Sequence, residues 1–228
     1  MSLYAIGDLH LSLGGSKPMD VFGGAWDGYV EKLKRGFEGI TDDDTVVLCG
    51  DLSWGVSLAE TADDFRFIDA LPGSKIFLKG NHDYWHETAA KTRAFFASIG
   101  VRDIPLLNNN SFDYGGVKLC GTRGWVYDDG VDGGHNAKVS AREAQRLEAS
   151  LRSAGDAEKI CFFHYPPRFG SYVCEEIISL MVRYGVRRCF YGHIHGRGHA
   201  NAFQGVSRGI EYAMVSADWL GFRPRKVL

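Results

Sequence analysis

The stretch LYAIGDLHL, residues 3–11, sets a pattern that runs through the chain. An apolar run, read as a buried β-strand over 3–6, passes directly into polar residues at Asp8 and His10. The arrangement returns four times. TVVLCGD (45–51) delivers Asp51, KIFLKGNHD (75–83) delivers Asn81, His82 and Asp83, and ICFFH (160–164) delivers His164. RRCFYGHIH (187–195) delivers His193 and His195. These runs place candidate strands at 3–6, 45–49, 75–79, 159–164 and 187–191, and further apolar runs add 104–107 and 117–121.

Between the strands lie segments with helical spacing. Trp26, Tyr29, Val30, Leu33 and Phe37 recur at helical intervals over 26–38, as do Leu58, Ala62, Phe65, Ile68 and Leu71 over 58–71. Segments 86–99, 140–153 and 173–184 read the same way, and Gly100, Gly155 and Gly185 supply their stops. Ser140 followed by Ala141-Arg142-Glu143 has the form of a capping box, so that helix is expected to begin there. Strands alternating with helices indicate an α/β core whose strands are buried on both faces. Near the end, 201–217 reads as two strands around Ser207-Arg208-Gly209, a hairpin. No repeat, low-complexity tract or linker interrupts the pattern, so residues 1–228 are expected to form one domain. One long segment lacks regular pattern: TRGWVYDDGVDGGHNAKV, 122–139, is glycine-rich and reads as a loop, a candidate lid.

Composition narrows the classes. The chain is 45% hydrophobic and 24% charged, ordinary globular values, with a net charge of -2. Nothing in that balance supports a nucleic-acid or membrane surface. Arg223, Arg225 and Lys226 gather at the end, where a solvated tail is the expectation. The N-terminus lacks a signal-peptide layout, and no run approaches the roughly 18 apolar residues of a membrane span, so a cytoplasmic location is expected. The five cysteines, none in a C-x-x-C pair, sit in apolar runs or a helix and read as small buried thiols. The sequence leaves oligomeric state open.

Five of the eight histidines fall in the strand-end clusters. Taken singly, Asp-x-His, Gly-Asp or a lone histidine is ordinary turn or core chemistry. Gly-His-x-His says more, because alternate residues of an extended segment put both imidazoles on one side. Taken together, in order and each at the end of a strand, the clusters converge on one rim of an open sheet, where α/β proteins form ligand sites. Carboxylate, imidazole and amide oxygen are the ligand types of divalent transition metals.

The ordered set DLH, GD, GNHD, H and GHIH resembles the calcineurin-like metallophosphoesterase family, and the motifs span residues 8 to 195. The resemblance implies a four-layer αββα sandwich of two mixed β-sheets with helices outside. It also implies two divalent transition-metal ions, Mn, Fe or Zn, with Asp8, His10 and His195 holding one and Asn81, His164 and His193 the other. Asp51 would bridge them, spacing the ions at roughly 3.5–4 Å. The implied reaction is hydrolysis of a small-molecule phosphoester, monoester or diester, by in-line attack of a metal-bridging hydroxide. His82 would face the substrate and stabilise the transition state or protonate the leaving oxygen, with Asp83 fixing and charging its imidazole.

Other residues read less sharply. Arg123 and Arg197 are candidates to bind a phosphate oxygen, against the alternative of structural ion pairs. His86, His135 and His199 read as surface, capping or loop histidines. Tyr84, Trp85, Trp125 and Tyr165 are candidates for an aromatic rim. Ser/Thr protein phosphatases and dinucleoside tetraphosphatases carry Gly-Asp-x-x-Asp-Arg-Gly in the second motif. Here it is Gly50-Asp51-Leu52-Ser53-Trp54-Gly55, with Trp54 at the second Asp position, and Asp83 stands where protein phosphatases have Glu. The chain thus departs from those branches and looks more like the small bacterial phosphohydrolases of the cyclic-nucleotide-phosphodiesterase branch. Trp54 itself reads as packing.

Overall fold

The computed structural model describes residues 1–15, 17–126 and 133–228. In chain order the elements are β1 (Leu3–Ile6), α1 (Tyr29–Phe37), β2 (Thr45–Leu48), α2 (Ala62–Ala70), β3 (Ser74–Phe77), α3 (Ala89–Ser98), β4 (Phe112–Tyr114), β5 (Val117–Thr122) and α4 (Gly133–Ser153). There follow β6 (Glu158–Phe163), β7 (Arg168–Phe169), β8 (Tyr172–Val173), α5 (Glu175–Arg183), β9 (Arg188–Tyr191), β10 (Gly205–Ser207), β11 (Ile210–Met214) and β12 (Arg225–Lys226). The chain divides into two compact units, Met1–Leu106 with Val215–Leu228, and Leu107–Met214.

The first unit is built on a sheet of order β12-β1-β2-β3, parallel except for β12, which runs antiparallel to β1. β-branched residues in TVVL suit a strand buried on both faces, and Val46, Val47 and Leu48 are buried. Helix α1 buries Tyr29, Leu33 and Phe37, one stripe at four-residue spacing, and Lys34 and Arg35 in its last turn complement the helix dipole. Phe37, Phe65, Phe77, Phe96 and Trp85 are all fully enclosed in this unit's core. Each such aromatic contributes roughly 1.5–3 kcal/mol by area removed from water. The register sets up the chemistry. Ile6 pairs with Leu48 and Leu48 with Phe77, so three parallel strands end level and release their following loops from one edge.

The second unit carries a sheet of order β10-β11-β9-β6-β5-β4, with β11, β9, β6 and β5 parallel and the two outer strands antiparallel. Thr122 pairs with Phe163, Phe163 with Tyr191 and Tyr191 with Met214, again a level edge. Helix α4 supplies Leu147 and Leu151, and α5 supplies Ile177, Ile178 and Met181, to a core that also holds Cys120, Cys161 and Cys189. All five cysteines are free and buried, and burial pushes the Cys161 and Cys189 thiols well up. An α/β chain with two mixed sheets flanked by helices matches what the family resemblance implies.

Four expectations change. Residues 104–107 form no strand but a single bridge, Phe77 to Leu106, because Pro105 has no N–H to extend a ladder and gives only its carbonyl to Phe77. The basic end is an ordered edge strand, β12, rather than a solvated tail. Helix α4 starts at Gly133, not Ser140, so Ser140 is a buried mid-helix residue that reaches Glu176 at 3.3 Å. The expected loop 122–139 therefore contracts. Thr122 closes β5, 133–139 are helical, and 127–132 lie outside the described residues. The hairpin in 201–217 forms as read, β10 against β11.

Candidate metal centre

In the first unit the level strand edge continues as paired backbone. Asp8 N–H donates to Gly50 O at 2.8 Å and His10 N–H to Asp51 O at 3.0 Å, so the first two motifs lie side by side. Asp8, His10 and Asp51 are almost completely buried. His10 Nε2 stands 3.8 Å from Asp51 Oδ2, and Tyr29 Oη donates to His10 O at 3.2 Å. Burial pushes the Tyr29 phenol up to about 12, so it stays a donor at neutral pH.

The third motif is tied to the second by one carboxylate. Asp83 is fully buried and accepts from the backbone N–H groups of Gly80 (2.8 Å), Asp51 (2.8 Å) and Leu52 (2.9 Å), and from Trp85 Nε1 (2.9 Å). Burial raises its pKa and these donors oppose the rise. Asp83 thereby pins the Asp51 loop, a role that its place beside His82 did not suggest. Asp51 in turn accepts from the His82 N–H at 2.8 Å, and half-buried Asn81 lies in the same turn. Gly80 is required by close approach, since a Cβ there would lie 2.0 Å from Asp51 Oδ1.

In the second unit, the Arg123 carbonyl accepts from the N–H groups of His164 (3.2 Å) and Tyr165 (2.8 Å), and Gly192 N–H donates to His164 O at 3.1 Å. His164 is fully buried, and its ring meets that of His193 edge-on at 5.0 Å. The Tyr165 ring lies 4.3 Å from His193. His195 is half-buried at the start of a short 3-10 turn, Gly196–Asn201.

Backbone strain marks the same residues. Seven non-glycine residues have positive φ among the described residues, and four of them are Asp8, His10, Asp51 and His193. Each such residue costs on the order of 1–3 kcal/mol and persists only where its surroundings hold it.

Within each unit, side chains of metal-ligand type stand together: the ligand atoms of Asp8 and His10 lie within 4.8 Å of one another in the first, as do those of His164 and His193 in the second. Buried carboxylates next to imidazoles suit borderline divalent cations, because a buried anion needs a compensating charge. The donor set therefore fits the implied metals.

The remaining candidates divide. Arg123 pairs with Glu143 at 3.8 Å, and Glu143 also takes Arg146 (2.7 Å) and the Thr122 hydroxyl (2.6 Å), so Arg123 sits in a structural ion pair. Arg197 is exposed in the turn after His195. Trp85 belongs to the core rather than a rim, whereas Tyr165 and Trp125, 5.4 Å apart, stand beside His164 and His193. His86 is half-buried, and desolvation, then Lys79, lowers its pKa. His135 edges Trp125 at 6.3 Å on the first turn of α4, and His199 is half-buried in the 3-10 turn.

Trp54, read from the sequence as packing, packs on candidate site residues. Its ring stacks on His10 at 4.8 Å and 23° and lies 4.5 Å from His82, with its Nε1 on Met19 Sδ. The available signal was its place, three residues past Asp51 at a position where related branches carry an acid.

Comparison with known proteins agrees with this geometry. The chain resembles a protein of unknown function, AQ665, from Aquifex aeolicus, at 15% identity and TM-score 0.52, covering 99% of this chain and 95% of that one. It also resembles phosphopantetheinyl hydrolase (PptH) from Mycobacterium tuberculosis, at 14% identity and TM-score 0.58, covering 100% and 95%. TT1561 of Thermus thermophilus aligns at 17% identity and TM-score 0.52 over 85% and 81%. At such identities the likeness is one of fold. No curated protein sequence matches significantly. The calcineurin-like phosphoesterase family matches residues 1–197, most of the chain and all of the ligand motifs. This chain belongs to the calcineurin-like phosphoesterase family.

Proposed function

We propose that the chain hydrolyses a phosphoester bond of a small molecule, monoester or diester, with two divalent transition-metal ions, Mn, Fe or Zn. Asp8, His10 and His195 would hold one ion, Asn81, His164 and His193 the other, with Asp51 shared. The observation that carries this reading is that four ligand-type residues at level strand ends, Asp8, His10, Asp51 and His193, all sit on strained, left-handed backbone. Two such ions would supply Lewis acidity, lowering the pKa of a water and offsetting charge on a phosphoryl group.

The chain's own residues do the rest. Asp83 holds the Asp51 loop by four backbone and side-chain donors, fixing the shared carboxylate before any ligand arrives. His82, half-buried, has a ring within 5.7 Å of the His10 ring and is the candidate to give a proton to the leaving oxygen. Trp54 packs against both rings and limits how far either turns. Tyr165 does the same for His193. Among the described residues no helix is long and apolar enough to cross a membrane.

The test is hydrolysis of bis-p-nitrophenyl phosphate and p-nitrophenyl phosphate by metal-stripped protein, with and without added Mn, beside Asp51→Asn. Mn-dependent release that the variant lacks supports the reading, and the ratio of the two rates gives the ester preference. Metal demonstrably bound, with no release from these or from a panel of natural phosphoesters, would instead mean a metal-bearing scaffold.

A further inference from the structure

A groove in the first unit has no metal ligand in its lining. It is open to solvent, has a volume of about 420 Å³, and is lined by Ala25, Lys32, Arg35, Gly221, Phe222 and Arg223. Three of those six residues are cations and none is acidic. Among the described residues Arg35 and Arg223 are exposed and enter no ion pair, while Glu31, the one acid within α1, is taken by Lys34 at 2.6 Å. Lys32 Nζ donates to Ala25 O at 2.7 Å and lies 5.8 Å from the Phe222 ring centre, which leaves further N–H bonds to give. Like charges gathered round a hollow repel one another, and an anion relieves that repulsion.

The hollow is held open by strained backbone. Gly221 has φ 59 and Phe222 has φ 63, and the second is costly for a residue with a side chain. The strain persists because the Phe222 ring is buried against Trp26 (5.3 Å) and Tyr29 (6.2 Å), and its N–H donates to Ala217 O at 2.8 Å. Helix α1 meets this turn at Gly36, where a Cβ would stand 2.0 Å from Phe222 O. That contact sets Arg35, the preceding residue, beside Arg223. Arg223 thus has a fixed place, and buried Trp26 meets both the Phe222 ring at 5.3 Å and the His10 ring at 5.9 Å.

We infer that this groove is a second binding site, distinct from the metal centre, for a ligand bearing a diphosphate group. Two guanidinium forks match phosphate oxygens two at a time, and a lysine adds a point charge. The volume is in the roughly 300–1,000 Å³ range of small-molecule sites and exceeds what one phosphate fills. The site does not depend on the hydrolytic reading, because none of its residues is a metal ligand.

Isothermal titration of inorganic pyrophosphate into metal-stripped protein in EDTA tests it, with wild type, Arg35→Gln/Arg223→Gln and Asp51→Asn. The expected result is one site per chain, equal in wild type and Asp51→Asn, weakened at least tenfold in the double arginine variant, and at least tenfold weaker for inorganic phosphate. Arg35→Glu, on an exposed helix position, gives the same loss without touching the strained turn, and matching melting temperatures confirm folding. No binding at millimolar pyrophosphate, binding indifferent to both arginine changes, or binding lost in Asp51→Asn would each overturn the inference.

Discussion

The two strand edges that carry the candidate ligands are organised differently. In the first unit, Asp8, His10, Asp51 and the Gly80–Asp83 turn are knitted together by backbone hydrogen bonds that converge on the Asp83 carboxylate. In the second, the Arg123 carbonyl takes the His164 and Tyr165 N–H groups, the His164 carbonyl takes the Gly192 N–H, and the Tyr165 ring packs on His164 and His193. Three of the four strained ligands belong to the first edge. Strain needs a stiff surrounding, and the first edge supplies it. The difference teaches that one buried carboxylate can gather several ligand loops at one edge, where the other edge relies on strand-to-strand bonds and ring packing.

That contrast is most easily broken at Gly80. Gly80→Ala drives a methyl into Asp51, and displacing a reacting group by about 1 Å is worth roughly 100-fold in rate. Mn-dependent kcat/KM is expected to fall at least that far, and near-normal activity would show that the first edge is softer than its hydrogen bonds imply. Asp83→Asn is next. It turns an acceptor of four close bonds into a group that also presents N–H to N–H, and outer-shell changes of this kind cost about 10–100-fold in metal affinity or activity. Metal binding measured by calorimetry should weaken together with rate. If rate alone fell, Asp83 would be serving His82 after all.

The second edge should respond in stability rather than in rate. Glu143 is buried, accepts from Thr122 and Arg146, and forms an ion pair with Arg123, the residue whose carbonyl holds His164. Glu143→Gln is expected to lose about 1–3 kcal/mol in urea unfolding. Its kcat/KM should stay within about tenfold of wild type. A larger rate loss would mean the second edge is as finely set as the first.

This same helix shows why part of the structure is hidden in the sequence. The strands and all the ligand motifs are legible, because apolar runs ending in Asp, Asn or His need no tertiary knowledge to see. The start of α4 is not. Its buried stripe is Asn136, Val139, Ser140, Glu143, Leu147, Ser150 and Leu151, and four of those seven are polar, so no apolar period announces it. Each polar member is bonded: Asn136 to Trp125 Nε1 and Ser150 Oγ to Asn110 O, for example. The role of Asp83 escapes the sequence for a related reason. Adjacency to His82 suggests a pair, whereas the fold turns its carboxylate onto the backbone of a loop some thirty residues away.

The smallest effect sharpens the comparison from the far end of the first sheet. Lys75, on β3, is buried and donates to Leu71 O, and desolvation, with Arg102 nearby, lowers its pKa from 10.5 to about 8. Below pH 8 both folded and unfolded chains carry the proton, and the folded state bears the full penalty of a buried ammonium. Between about 8 and 10.5 the folded chain has released the proton while the unfolded chain keeps it, so the unfolded state binds more protons and stability rises with pH. Above that window the penalty is gone. Lys75→Met removes the titration: the variant should gain over wild type most at pH 7, and that advantage should shrink steadily from pH 8 to 10.5. Urea unfolding of both proteins across that range reads it directly. Parallel stability curves would mean that Lys75 keeps its charge in the fold, and that the first sheet tolerates a buried cation far from its ligand edge as readily as it holds buried carboxylates at that edge.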